Sequence, residues 1–167
     1  MIQYKNGDLF EYISDKHLDP SVNIIIPHIT NDIGAWGSGF VVPLGKQYPK
    51  AQDSYIKSYV DHDNANIPML GNCQIVDCGC NTYVANMCAQ TGILGHSTGD
   101  RNMVNMKPIR YAALVDCMRN VASFADANSC QIHCPKFGSD RAGGNWYFIE
   151  ELIQEIWEQF SVTVYIL

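Results

Sequence analysis

What the chain lacks narrows its function first. No apolar run approaches the ~20 residues that a membrane span needs. The opening stretch from Met1 to Tyr12 has neither the basic start nor the apolar core of an export signal, so a cytoplasmic setting is expected. Positive charge is scarce: 11 Lys and Arg stand against 17 Asp and Glu, for a formal net charge of −6. A broad nucleic-acid surface needs the opposite balance, so an anionic ligand has to be held by local donors rather than by the field of the whole protein. Repeats, linkers and low-complexity segments are missing too. The 47% of hydrophobic residues suffice for a core, and the 167 residues are read as one domain, 1–167, expected to be a monomer.

Paired cysteine spacing is another absence. Seven cysteines is an odd count in a chain without an export signal, which favours reduced thiols. Cys73, Cys78 and Cys80 follow C-x4-C-x-C, a spacing that fits no zinc knuckle, and no second ligand pair follows. They read as small apolar residues on a strand and its turn; no metal and no cofactor is expected.

What is present alternates between strand and helix signals. Ile2 to Tyr4 is a short strand ended by Asn6-Gly7-Asp8. Asn23-Ile24-Ile25-Ile26-Pro27 is an apolar run of the kind buried on both faces of a sheet. Phe40 to Tyr59 reads as helical, broken near Pro49. Gly71 to Cys78 and Thr82 to Met87 form two strands around a turn at Cys78-Gly79-Cys80-Asn81. Thr91 to Lys107 reads as a long surface loop. Pro108 is expected to open a helix reaching Ala127, with Ile109, Ala112, Ala113, Val115, Cys117 and Val121 as its apolar face. Cys130 to Cys134 is a strand stopped by Pro135, Trp146 to Phe160 a helix, and Val162 to Leu167 the closing strand. This order predicts an α/β fold: three layers, α/β/α, with a mixed, mostly parallel sheet flanked by helices.

Two strand-loop-helix units carry the functional signal. The first loop runs from Asn31 to Gly39, the second from Lys136 to Asn145. Glycines there let a ligand approach the backbone, and free N–H groups at the carboxyl edge of a sheet receive phosphate even in an acidic protein. Two better-known phosphate loops are excluded. Gly39 to Lys46 has one residue too many between its glycines for a Walker A loop, and Gln47 stands where Ser or Thr must hold magnesium. Gly34, Gly37 and Gly39 have the dinucleotide fingerprint's spacing reversed.

These motifs resemble the macro domain family along nearly the whole chain. Gly7-Asp8-Leu9 is similar to its opening GD-[ILV] motif. His28-Ile29-Thr30-Asn31 through Trp36-Gly37-Ser38-Gly39 is similar to its H-x-x-N-x-x-G-x-W-G-x-G loop, and Tyr48-Pro49-Lys50-Ala51 follows as in that branch. Pro135-Lys136-Phe137-Gly138 through Ala142-Gly143-Gly144-Asn145-Trp146 resembles the second loop, P-[KR]-[IF]-G-x-G-L-A-G-G-[DN]-W, and Val162-Thr163-Val164-Tyr165-Ile166-Leu167 the last strand. Within the family, the first loop is most similar to the yeast-type ADP-ribose 1″-phosphate phosphatases and their bacterial and viral relatives.

The resemblance implies binding of ADP-ribose or ADP-ribose 1″-phosphate, with ADP-ribosylated macromolecules as a further class of partner. Removal of the 1″-phosphate without a metal is the first activity implied. Hydrolysis of ADP-ribose from modified protein or nucleic acid, or binding without turnover, are the alternatives. The resemblance puts the ligand against Asp8, Leu9, Asn31, Gly34, Trp36, Gly37, Ser38, Gly39 and Phe40 of the first half of the chain. From the second loop it adds Gly138, Ser139, Asp140, Arg141, Ala142, Gly143, Gly144 and Asn145. Asp8 would receive the adenine amino group, or cap the following helix. Asn31 would hold the distal ribose, or fix its own loop.

The catalytic candidates are His28, Asn31 and Asp140. His28 is an acid, base or nucleophile toward a 1″-phosphate, or else a core histidine bracing the loop. Trp36 and Phe40 cover the distal ribose or pack the loop, and Lys136 and Arg141 add attraction to phosphates. The chain departs from the pattern where Asp140 replaces a loop glycine and Arg141 a leucine, and the glycohydrolase branch's catalytic Asp falls at Ala142. Asp140 then turns either toward the distal ribose as a base or out to solvent.

Overall fold

The computed structural model describes residues 2–14, 21–93 and 107–167. Along them run β1 (Ile2–Asn6), α1 (Leu9–Ser14), β2 (Ile24–Asn31), α2 (Val41–Gln47), α3 (Pro49–Ala65) and β3 (Cys73–Asp77). After these come β4 (Thr82–Gln90), α4 (Tyr111–Asn128), β5 (Gln131–Pro135), α5 (Trp146–Ile156) and β6 (Val162–Ile166). Six strands form one sheet in the order β1-β6-β5-β2-β4-β3. Only the hairpin pair β3–β4 is antiparallel; the other neighbours run parallel.

The isoleucines of β2 show how the layers arise. Successive strand residues point to opposite faces. Ile25 joins a core with Leu114, Met118, Ile149 and Ile153 of α4 and α5. Ile26 joins Leu9, Leu44 and Ala51, from α1, α2 and α3, on the other face. The result is the three-layer α/β/α arrangement with a mixed, mostly parallel sheet. Among the described residues no helix is long and apolar enough to cross a membrane.

Several element boundaries differ from the sequence reading. β2 runs on through His28 to Asn31 because β4 continues beside it to Gln90, pairing His28 with Asn86. Pro49 starts α3 rather than merely breaking a helix, and α3 reaches Ala65, ended by Asn66 in the left-handed conformation. Pro108 opens no helix. Ile109 forms a bridge with Gln90, and Arg110 N donates to Ala89 O, so the backbone stays extended until Tyr111. The buried face of α4 is Ala113, Leu114, Cys117, Met118, Val121 and Ala125; Ala112, expected inside, is exposed. α5 ends at Ile156, and Trp157 packs from the following turn with its indole N–H on Met118 O at 2.9 Å. Of the long loop expected over 91–107, residues 94–106 lie outside the described residues.

The pairing of β2 and β5 sets the position of the cleft. They share ladder partners only at Ile24–Gln131 and Ile25–Ile132. Beyond that point the strands part, and the loops leaving their carboxyl ends face each other across the gap. Ligands of open α/β sheets lie at such a point.

Candidate functional site

The gap is a cleft lined by both loops. From the first come Asn31, Ala35, Gly37, Ser38, Gly39 and Phe40; from the second, Gly138, Asp140, Arg141 and Ala142, with His28 between them. Asp8, Leu9, Gly34, Trp36, Ser139, Gly143, Gly144 and Asn145 stand outside that lining. Ile29, Thr30, Gln90, Ile93, Lys136 and Phe137 belong to it, and the sequence reading had none of these as ligand contacts except Lys136. Gln90 is the ladder partner of Asn31. Nothing around Gln90 in the sequence marks it; only the parallel pairing of β2 with β4 brings it to the cleft.

The first loop is organised by Asn31. A register shift between Thr30 and Asn31 breaks the strand alternation at its end. The Asn31 side-chain oxygen accepts from Ile33 N and Ala35 N, both at 3.1 Å, and from the Tyr55 hydroxyl at 2.8 Å. Its amide nitrogen donates to Ala35 O at 2.8 Å. Asn31 thus closes its own loop from a position in the cleft lining. Gly34 is a packing residue: at φ +74°, a Cβ there would sit 2.6 Å from the Tyr59 ring. Gly37 and Gly39 differ, because a Cβ on either would meet nothing within 4 Å. The N–H groups of Gly37, Ser38 and Gly39 donate to no backbone carbonyl among the described residues.

His28 forms the floor beneath this loop at 2% exposure. Trp36 meets its ring edge-on at 5.5 Å, and Phe40 lies 5.8 Å away. Asn86, fully buried on β4, donates from Nδ2 to Ala51 O at 2.9 Å, which turns its Oδ1 toward His28 Nε2 at 2.6 Å. The imidazole therefore carries its proton on Nε2 and its lone pair on Nδ1. Burial lowers its pKa to about 4, with the Asn86 hydrogen bond working in the opposite direction. At neutral pH His28 is an uncharged acceptor rather than a stored acid. Trp36, outside the lining, packs between His28 and Tyr55.

The second loop is folded tightly on itself. Gly143 N donates to Asp140 O at 3.0 Å and Gly144 N to Gly138 O at 2.8 Å. Asn145 N donates to the Tyr111 hydroxyl, and the Asn145 side chain caps α5 by accepting from Tyr147 N and Phe148 N. The α5 N-terminus is thus closed by its cap and does not open onto the cleft. A Cβ on Gly138 would meet the δ-methyls of Ile149, Ile109 and Ile29 at 2.9–3.0 Å, and one on Gly144 would strike Gly138 O. The N–H groups of Gly138 to Ala142 make no backbone bond among the described residues.

Charge at the mouth comes from the same loop. Asp140 and Arg141 are both exposed. The Arg141 guanidinium crosses the cleft, donating from Nη1 to the Ser38 hydroxyl at 2.6 Å. Lys136 keeps its ammonium 5.6 Å over the Trp146 ring, on the flank of α5. At the far end of the sheet edge, Asp8 caps α1 through Phe10 N at 2.8 Å, and Leu9 is buried in the core. Phe10, one residue on, stacks against Phe40 of the first loop at 5.2 Å.

No protein-family model and no curated protein matches the chain. Solved structures do. A protein of unknown function from Bacteroides thetaiotaomicron is 36% identical, with a TM-score of 0.83 over 100% of this chain and 98% of its own. A macrodomain protein from Streptomyces coelicolor is 30% identical, with a TM-score of 0.77 over 100% of this chain and 99% of its own. Thermosipho africanus DarTG in complex with ADP-ribose shares the fold at 12% identity and a TM-score of 0.67, over 98% of this chain and 41% of that one.

Proposed function

The chain belongs to the macrodomain family, and from that membership we propose that its cleft binds ADP-ribose and releases phosphate from ADP-ribose 1″-phosphate without a metal. The observation that carries this reading is the pair of facing loops that line one cleft with Gly37–Gly39 and with Gly138, Asp140, Arg141 and Ala142, whose N–H groups make no backbone bond among the described residues. Such donors hold a diphosphate in a protein of net charge −6, where the overall field repels it. The Thermosipho relative, solved with ADP-ribose, supports the choice of ligand.

In this reading the adenosine half lies toward Asp8, whose second carboxylate oxygen is left for the adenine amino group. The distal ribose lies near Asn31 and Gln90. Asp140 takes a proton from an attacking water, the water oxygen bonds to phosphorus, and the bond from phosphorus to the 1″ oxygen breaks. The 1″ oxygen takes up a proton from solvent, and Asp140 returns its own to solvent. Inorganic phosphate and ADP-ribose leave. His28 contributes as a neutral acceptor that positions the reacting end, in keeping with its low pKa. Binding energy from the adenosine half holds the distal end in place.

The test is a pair of measurements: calorimetry with ADP-ribose, and phosphate release from ADP-ribose 1″-phosphate. Asp140→Ala is expected to lower kcat about 100-fold while ADP-ribose still binds. No phosphate release by the parent protein sinks the phosphatase; no heat with ADP-ribose sinks the ligand. A second reading rests on the exposure of Asp140 and Arg141 at the mouth. An acid at an open rim suits ADP-ribose still attached to a macromolecule, and release of ADP-ribose from modified protein, without phosphate release, would select it.

A further inference from the structure

The hydrogen bond from Arg141 to Ser38 joins residues 103 positions apart and ties one loop to the other over the cleft. Both ends line the cleft, and the second loop has no slack to spare. Gly138 and Gly144 are wedged against Ile29, Ile109, Ile149 and each other, so Arg141 is presented from a rigid turn. Ser38 sits between Gly37 and Gly39, where the surroundings are open. One partner is fixed, therefore, and the other is free to follow it.

Resting on the ADP-ribose reading, we propose that Arg141 is a specificity-determining residue, a cationic clasp latched on Ser38 that closes over the ligand's diphosphate. A guanidinium has five N–H donors, and the Ser38 hydroxyl occupies one. The remaining donors belong to a planar fork, and such forks match phosphate oxygens in pairs. Lys136, the other cation of the lining, is held over Trp146 and does not span the cleft. The clasp also answers the loop's own chemistry. Asp140 brings a negative charge to a loop whose N–H groups are to meet phosphate, and the neighbouring Arg141 restores a positive one at the place where the two loops meet. The ligand class it selects is a nucleoside diphosphate moiety, in preference to a nucleoside.

The experiment is calorimetry of the whole chain with adenosine, ADP and ADP-ribose at several salt concentrations, for the parent, Arg141→Leu, Arg141→Lys and Ser38→Ala. Arg141 is exposed, so the variants are expected to fold. Arg141→Leu should weaken ADP and ADP-ribose about tenfold, leave adenosine unchanged and flatten the salt dependence. Arg141→Lys should fall between, keeping the charge without the fork. Ser38→Ala should cost about threefold in the parent and nothing in the Arg141→Leu background, since the latch has no second function. Equal ADP-ribose affinity for Arg141→Leu and the parent overturns the clasp alone. An equal loss for adenosine overturns it as well, because the damage then lies in the cleft's shape. Failure of the parent to bind ADP-ribose overturns the functional reading and the clasp with it.

Discussion

The two loops look alike in sequence and are built by opposite means. The first hangs from one side chain: Asn31 gathers two backbone N–H groups, a carbonyl and the Tyr55 hydroxyl, while Gly37 and Gly39 stand in open space. The second is held by its own backbone and by contact, with Gly138 and Gly144 pressed into isoleucine methyls and a carbonyl. Glycine therefore serves two ends here. In the second loop it makes the fold possible, and at the tip of the first it leaves room for something that is not protein.

The sharpest way to break this contrast is to add one methyl group to each loop. Gly144→Ala puts a Cβ onto Gly138 O and is expected to cost about 3 kcal/mol in urea unfolding, the upper end for an overpacked site. Gly37→Ala meets nothing, and its cost should stay within about 0.5 kcal/mol while ADP-ribose affinity drops in calorimetry. Equal stability losses would end the distinction.

Asn31→Ala probes the other half of the comparison. It leaves several loop groups without partners, so a loss of 2–3 kcal/mol is expected, on the order of what orphaned polar groups cost. Amide exchange should quicken over 32–36 and stay unchanged over 138–144; protection lost in both loops would show that they are one unit.

Acid should destabilise the fold through its two buried histidines. His28 has a folded pKa of about 4, below the unfolded value of 6.5. The unfolded chain then binds more protons between those values, so stability is unaffected above about pH 6.5 and falls as pH drops through the window. The loss is about 2 kcal/mol at pH 5, by the same linkage. His133 adds a similar slope, since burial lowers its pKa to about 4 too. His28→Asn should remove one share of the slope, and an unchanged slope would place His28 outside the titration.

The order of strands and helices was legible because apolar runs and helical periodicity are local. So were the two loops, the hairpin turn and the Asp8 cap, each written in a few adjacent residues. What was hidden depended on partners from elsewhere. The tautomer of His28 is set by Asn86 on β4, the crossing from Arg141 ends on Ser38, and Gln90 reaches the cleft only because β4 runs parallel to β2. Pro108 misled for the same reason: a good helix opener was overruled by the bridge from Ile109 to Gln90. Gly143, Gly144 and Asn145 matched a binding motif, yet their N–H groups are spent inside the protein.

One feature of β2 limits how this chain can vary in length. Its residues alternate between the two helical layers, Ile25 and Ile29 to one side, Ile26 and His28 to the other. Deleting a single residue between Asn23 and Pro27 would exchange the sides, lodging an imidazole among Leu114, Met118 and Ile149 and leaving an isoleucine beneath Trp36. Gains and losses of residues are therefore affordable in the Cys78–Asn81 turn, where no such alternation has to be kept, and ruinous within β2.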